Sequence, residues 1–281
     1  GQLWINRKRI GERMISNQVL QNTIEGLKEI SRTDLCIMDV KGKILASTFA
    51  ENVSVFVEVK AFAESQAESQ LIKGYQYFKV SDDNQLDYIL VVHGDNEDTY
   101  MIGKLAAFQL QSLIVAYKER FDKDSFIKNL LLDNLLLVDI YNRAKKLHIE
   151  PDVRRVVFIL EVSQDREHHS VENVRALFHG KNGDFITAVD EKSIIIVKEL
   201  AEDEGYEEMD KLARSILDSL GLDKQSGSHI AYGSIVRELK EVSRSYKEAR
   251  MALDVGKIFF GERDVIAYSS LGIGRLIYQL P

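Results

Sequence analysis

The second half of the chain leaves its fold little freedom. A strand-like run RRVVFILEVS (154–163) is followed by an amphipathic stretch SVENVRALFHG (170–180), then by a second run DFITAV (184–189) and the polar turn DEKS (190–193). A third run IIIVKEL (194–200), a longer helical stretch EEMDKLARSILDSLG (207–221) and a fourth run HIAYGS (229–234) complete the series. Short apolar, β-branched runs bounded by turn formers read as strands, and apolar residues at helical spacing read as helices. The order is βαββαβ, that of a ferredoxin-like sheet. Gly221 stands where a left-handed residue ends a helix. A further helix over about 238–257 places Val242, Tyr246, Ala249 and Leu253 on one face, and DVIAY (264–268) reads as a last short strand.

The first half has a different grammar. Residues 17–31 put Val19, Leu20, Ile24, Leu27 and Ile30 near helical spacing, and DLCIMDVKGKILAST (34–48) reads as a hairpin turning at Lys41-Gly42. Residues 51–74 are mixed, with helix expected in their second half. YQYFKVSDDNQLDYILVVHGD (75–95) is a second hairpin, turning at Ser81-Asp82-Asp83-Asn84, residues that bond their own backbone. Asn96 to Asp98 can cap a helix from about Tyr100 to Arg120. A small antiparallel sheet with helices on one side packs this order most simply, as in a PAS-like or GAF-like sensor. The expected fold class is therefore α+β: a sensor module over 14–120, a helical connector over 121–150 broken by Pro151, and a ferredoxin-like domain over 151–281. Residues 1–13 precede Met14, a natural start, and read as a leader foreign to the native chain.

Composition closes several alternatives. With 281 residues, a net charge of −7 and scattered basic groups, the segment lacks the concentrated cations that phosphates demand. DNA is expected as a partner only through a domain outside this chain. The longest apolar clusters, NLLLDNLLLVDIY (129–141) and SIIIVKEL (193–200), are broken by charge or amide and are too short to span a bilayer. No apolar stretch of a signal peptide follows the basic start, and Cys36 is the one cysteine, so a cytoplasmic protein without intrachain disulfides is expected.

No constellation predicts an enzyme, a metal or a cofactor. Cyclases built on this βαββαβ palm need carboxylates for two metals and a Gly-Gly turn between the second and third strands. Here that turn is Asp190-Glu191-Lys192-Ser193, with Glu161 and Asp165 at the end of the first strand; the paired glycines are missing and Lys192 competes for the acids. DREHHS (165–170) lacks the i, i+4 histidine spacing of a helical metal site. GIGR (272–275) lacks the third glycine of a dinucleotide fingerprint. Cys36 lies in an apolar run and reads as core.

Residues 232–272 resemble the CdaR/PucR family of bacterial transcriptional regulators. A Gly-Ser strand leads to a helix with the pattern S-Y-x-E-A-x-x-A-L, here Ser245, Tyr246, Glu248, Ala249, Ala252 and Leu253, then to Y-x-x-L-G, here Tyr268, Leu271 and Gly272. Residues 125–162 are similar to that family's connector and first strand. Met38, Asp39, Gly42, Ile44, Ala46 and Ser47 resemble part of the sensor pattern of sugar diacid regulators. The resemblance implies a degenerate GGDEF-like central domain without chemistry, a ligand-sensing module before it and a helix-turn-helix beyond residue 281.

A dicarboxylate effector would need cations, hydroxyls or free backbone N–H groups. Side chains at alternate positions share a strand face. The candidates are Ser47, Ser54, Tyr75, Tyr77, Lys79, Tyr88 and His93. The wide apolar face of the connector, with Leu130, Leu131, Leu135, Leu136 and Ile140, is expected to pack on a domain or to make a homodimer. Three readings stay open: the sensing and relay part of a regulator, a dimerisation scaffold without a small ligand, and a nucleotide-binding relic of a diguanylate cyclase.

Overall fold

The computed structural model describes residues 15–50, 58–162, 171–178, 183–222, 227–261 and 263–272. The chain divides into two compact units, 1–121 and 122–281.

In the first unit, helix α1 (Asn17–Ser31) begins under Ser16, whose hydroxyl accepts from Val19 N. Strands β1 (Leu35–Met38) and β2 (Ile44–Ser47) form the first hairpin. The Asp39 carboxylate holds its turn by accepting from Lys41 N and Lys43 N. Helix α2 (Val59–Glu64) is only six residues long. Strand β3 (Ser69–Ile72) follows, where helix had been expected, and pairs with β4 (Tyr75–Asp82). The turn between them, Lys73-Gly74, has φ of 50° and 81°. Asp83 and Asn84, between β4 and β5 (Gln85–His93), likewise lie at 46° and 63°. Two positive-φ residues in a two-residue loop give the turn whose twist matches paired strands, which fixes the β3–β4–β5 register.

The five strands form one antiparallel sheet in the order β2-β1-β5-β4-β3. It is covered on both faces, not one. Leu35, Ile37, Phe78, Leu90 and Val92 pack with Leu20 and Ile24 of α1 and with Ala106 and Leu110 of the next helix. Cys36, Met38, Tyr77, Ile89 and Val91 face the other way, toward Val59 and Phe62 of α2. Ile30, expected on the buried side of α1, is 86% exposed.

Helix α3 (Glu97–Leu131) runs for 35 residues and does not stop near Arg120 as expected. Asn96 caps it, its side-chain oxygen accepting from Thr99 N. In the second unit the last turns of α3, helix α4 (Leu137–Lys146) and the sheet share a core. Leu130, Leu131 and Ile140 are buried there and Leu135 packs against them, so four of the five residues expected at a dimer contact are covered by their own domain. Leu136 alone of that set is exposed, at 73%.

The second unit realises the expected order: β6 (Arg155–Glu161), α5 (Val171–Ala176), β7 (Phe185–Thr187), β8 (Ser193–Glu199), α6 (Tyr206–Ser219), β9 (His229–Tyr232), α7 (Val242–Phe259) and β10 (Val265–Ala267). Gly221, at φ 64°, follows the C-terminus of α6 as predicted. The sheet order is β10-β9-β6-β8-β7. Strands β6 and β8 are buried on both faces, which explains their unbroken Val/Ile runs. Val157, Ile159, Ile195 and Val197 meet α7 and α4, while Val156, Phe158, Ile194 and Ile196 meet the face that holds Met209, Ala213 and Ile216 of α6.

Two residues of the regulator-like pattern account for how closely α7 lies on this sheet. A Cβ on Gly233 would sit 2.1 Å from the backbone oxygen of Ser245, so only glycine permits the approach. The Ser245 hydroxyl accepts from Val157 N at 3.1 Å and donates to Ser234 O at 2.8 Å, tying helix to sheet. The Ser234 hydroxyl in turn donates to Glu248 at 2.6 Å. These pattern residues hold the fold together; they do not face a reaction centre.

Candidate functional site

Two places deserve a chemical reading, one in each unit. In the second unit the turn between β7 and β8 is where a cyclase would carry its acidic groups. Asp190 Oδ1 accepts from Lys192 N at 2.9 Å and from Ser193 N at 2.8 Å. Its other oxygen faces Arg250 Nη2 at 3.4 Å. Arg250 also reaches the Ser193 hydroxyl and the Tyr246 hydroxyl. Burial raises the Asp190 carboxyl, but the backbone N–H groups of Lys192 and Ser193, the Ser193 hydroxyl and the Arg250 charge outweigh it and hold the group below the usual carboxylate range. Glu161, at the end of β6, is engaged by Lys257 in an ion pair.

The cations that neutralise these acids therefore come from α7. Lys192, expected to compete through its side chain, contributes its backbone N–H. Arg250 and Lys257 are seven residues apart, two helical turns, on one side of α7 with Tyr246. That spacing was visible in the sequence; what was not visible was which strand ends it faces. Two divalent ions need carboxylates free to coordinate them. Here Glu161 and Asp190 each already face a cation, so these two are not free for a two-metal centre. Among the described residues no group of three or more His, Cys, Asp or Glu side chains could hold a metal ion. Asp165, His168 and His169 lie outside the described residues.

In the first unit, the register brings most of the expected ligand residues to one sheet face. Cys36 pairs with Ser47 and with Val91, and Val91 with Tyr77, making a cross-strand row. Tyr75 and His93 pair one step along, their rings 5.0 Å apart, with Phe49 6.0 Å from Tyr75. Lys79 lies on the same face; its ammonium donates to Ser65 O and stands 5.4 Å from the Phe62 ring centre. The Tyr77 ring is fully buried, 5.7 Å from that of Phe62. Its hydroxyl has no hydrogen-bond partner among the described residues, and neither has Glu58 Oε2. Burial, then the charge of Glu58, pushes the Tyr77 phenol up to about 12. Glu58 was not singled out in the sequence and carries no motif that would have marked it. Ser54 lies outside the described residues.

Tyr88 does not join this group. It belongs to the opposite face and lines a cavity of about 470 Å³ with Asp39, Asp82, Asp83, Asp87 and Lys118. Lys118 bridges Asp82 and Asp83 at 3.2 and 3.0 Å. Burial and the nearby Asp82 charge push the Asp87 carboxyl up, with Lys118 opposing. Four carboxylates against one lysine repel a dicarboxylate, so Tyr88 is not placed to help bind one.

A family model described as a GGDEF-like domain matches residues 134–255. No curated protein sequence matches the chain significantly. Among solved structures, PelD 156–455 from Pseudomonas aeruginosa PA14, in its apo form, is 14% identical, with 87% of each chain covered and a TM-score of 0.30. PelD 158-CT from Pseudomonas aeruginosa PAO1 is 13% identical, covering 89% of this chain and 90% of that one, with a TM-score of 0.25. Superpositions that loose carry neither a fold nor a functional argument. The chain is thus a mixed α+β protein with two sheets, and its second unit contains a GGDEF-like domain. Among the described residues no helix is long and apolar enough to cross a membrane.

Proposed function

We propose that the second unit is a relic of a nucleotide cyclase, a GGDEF-like domain without cyclase chemistry, and that it serves a regulatory protein. The observation that carries this reading is the pairing of Glu161 with Lys257 and of Asp190 with Arg250. A domain that still bound two metals would gain nothing from cations held against its carboxylates. In this reading the first unit senses a small polar effector on the face that carries Ser47, Tyr75, Tyr77, Lys79 and His93. The unpartnered Tyr77 hydroxyl supports that choice, because a buried hydroxyl costs free energy until something bonds it. The finer identity, a CdaR/PucR-type regulator of sugar diacid use, is supported by the residue pattern along α7.

The test has two arms. The full chain with GTP and magnesium is expected to release no pyrophosphate; release would overturn the reading. Calorimetry on the same mixture decides whether the relic still binds a nucleotide, which the match to a GGDEF-like domain favours as a second reading. For the first unit, a panel of dicarboxylates and sugar acids is screened by thermal shift. A hit that disappears in Tyr77→Phe supports sensing on this face, and a hit untouched by Tyr77→Phe moves the site elsewhere.

A further inference from the structure

Helix α3 buries one side in the first unit, where Ala106 and Leu110 are fully covered. Its other side is apolar too, and open to water. Met101, Leu105, Phe108 and Val115 are exposed at 59, 61, 68 and 49%. With Ser112 they fall at intervals of four, three, four and three residues, the repeat of a coiled-coil seam. The seam runs for about 21 Å at 1.5 Å per residue. Asp98 occupies the next seam position before Met101 and Glu119 the next after Val115, so charge ends the apolar repeat at both sides.

We propose that residues 101–115 of α3 form the seam of a homodimer. The occupant is a second copy of this chain for three reasons. A 4-3 repeat is complementary to another helix with the same repeat, and a two-fold contact places a patch against itself. The chain carries a net charge of −7, yet residues 99–118 contain no Asp or Glu and two Lys, Lys104 and Lys118, so no acidic groups oppose each other within the apolar repeat. The patch, widened by Gln109, Gln111 and Ala116, amounts to roughly a few hundred Å², about the most that a monomer leaves open. Two copies together come near the roughly 1,000 Å² of a small specific interface. The one polar seam residue, Ser112, already donates its hydroxyl to Phe108 O at 3.0 Å, so burying it leaves no donor unmade. The inference is independent of what the first unit senses.

Sedimentation velocity on the full 281-residue chain across the micromolar range tests it. A dimer is expected. Leu105→Glu and Phe108→Glu each place like charges across the seam and weaken it about tenfold or more. Met101→Lys with Val115→Lys does the same with the opposite charge. All are exposed in the single chain, so circular dichroism, and melting at concentrations where the wild type is monomeric, should match wild type. Leu136→Glu, in a separate exposed patch, leaves the dimer intact. A wild-type chain that stays monomeric overturns the proposal. So does a dimer that survives the seam substitutions, or one that yields only to Leu136→Glu.

Discussion

Both units lay a long helix on a five-stranded sheet, and they close the contact differently. In the second unit α7 is drawn onto the sheet through Gly233, clamped by Ser245, and supplies Arg250 and Lys257 to the acids at the strand ends. In the first unit α3 touches the sheet closely at Gly103, where a Cβ would stand 2.1 Å from the Phe78 ring, and leaves a second apolar side uncovered. The sheet below it also keeps a buried hydroxyl, that of Tyr77, without a partner among the described residues. Buried polar atoms without a partner among the described residues occur in both units, Arg155 Nε and Nη1 and Thr187 Oγ1 in the second among them, so the units differ in the apolar side of α3 that the first leaves uncovered.

The sharpest way to break the comparison is to spoil the two close approaches. In Gly233→Ala the new methyl meets backbone, which cannot rotate away, and a loss of about 3 kcal/mol is expected. In Gly103→Ala it meets a phenyl ring, and the helix gains about 1 kcal/mol of propensity, so a loss of about 1–2 kcal/mol is expected. Chemical unfolding followed by circular dichroism measures both. Equal losses would mean that α7 is no more tightly seated than α3.

Next come the two buried hydroxyls. Ser245→Ala strands the Val157 N–H and should cost about 2 kcal/mol. Tyr77→Phe removes a group that has nothing to bond, and should leave stability unchanged or raise it by up to about 1 kcal/mol. The alkaline limb gives an independent check. The Tyr77 phenol is raised to about 12 from an ordinary value of 10, so both states keep the proton below pH 10. Between those values the unfolded chain ionises first and stability falls as pH rises. Tyr77→Phe should lose that part of the fall, measured as a difference from wild type because Tyr232 is raised to about 12 as well. A destabilised Tyr77→Phe without this alkaline signature would show that the hydroxyl has a structural partner.

The comparison also shows what a sequence can and cannot declare. The βαββαβ order was legible because its strands and helices are bounded by turn formers and Gly221. Strand β3 was missed because AESQAESQ has helical propensity, while its strand state depends on pairing with β4 after the Lys73-Gly74 turn. Periodicity says that a helix face is apolar, not what covers it. Leu130, Leu131 and Ile140 were expected to pack on a domain or on a second copy, and they pack on their own domain; Met101, Leu105 and Phe108 were not singled out and are open. Alternation along β4 correctly grouped Tyr75, Tyr77 and Lys79, but the relative facing of Tyr88 on β5 depended on the register between strands. Arg250 and Lys257 were not singled out: their seven-residue spacing puts them on one helix side, but their acidic partners followed only once the sheet was assembled.

The smallest expected effect on the folded chain is the most discriminating. Leu105→Glu and Phe108→Glu replace side chains that are mostly in water, so under monomeric conditions each should change stability by no more than about 0.5 kcal/mol. Substitution of a buried neighbour, Leu110→Ala, should cost about 2–5 kcal/mol on the same helix. Unfolding at low protein concentration measures this contrast. If Leu105→Glu proved as damaging as Leu110→Ala, the outer side of α3 would already be covered within the chain. If it is harmless alone yet weakens self-association, the two sides of α3 have separate tasks: one completes the first unit, and the other joins it to a second copy.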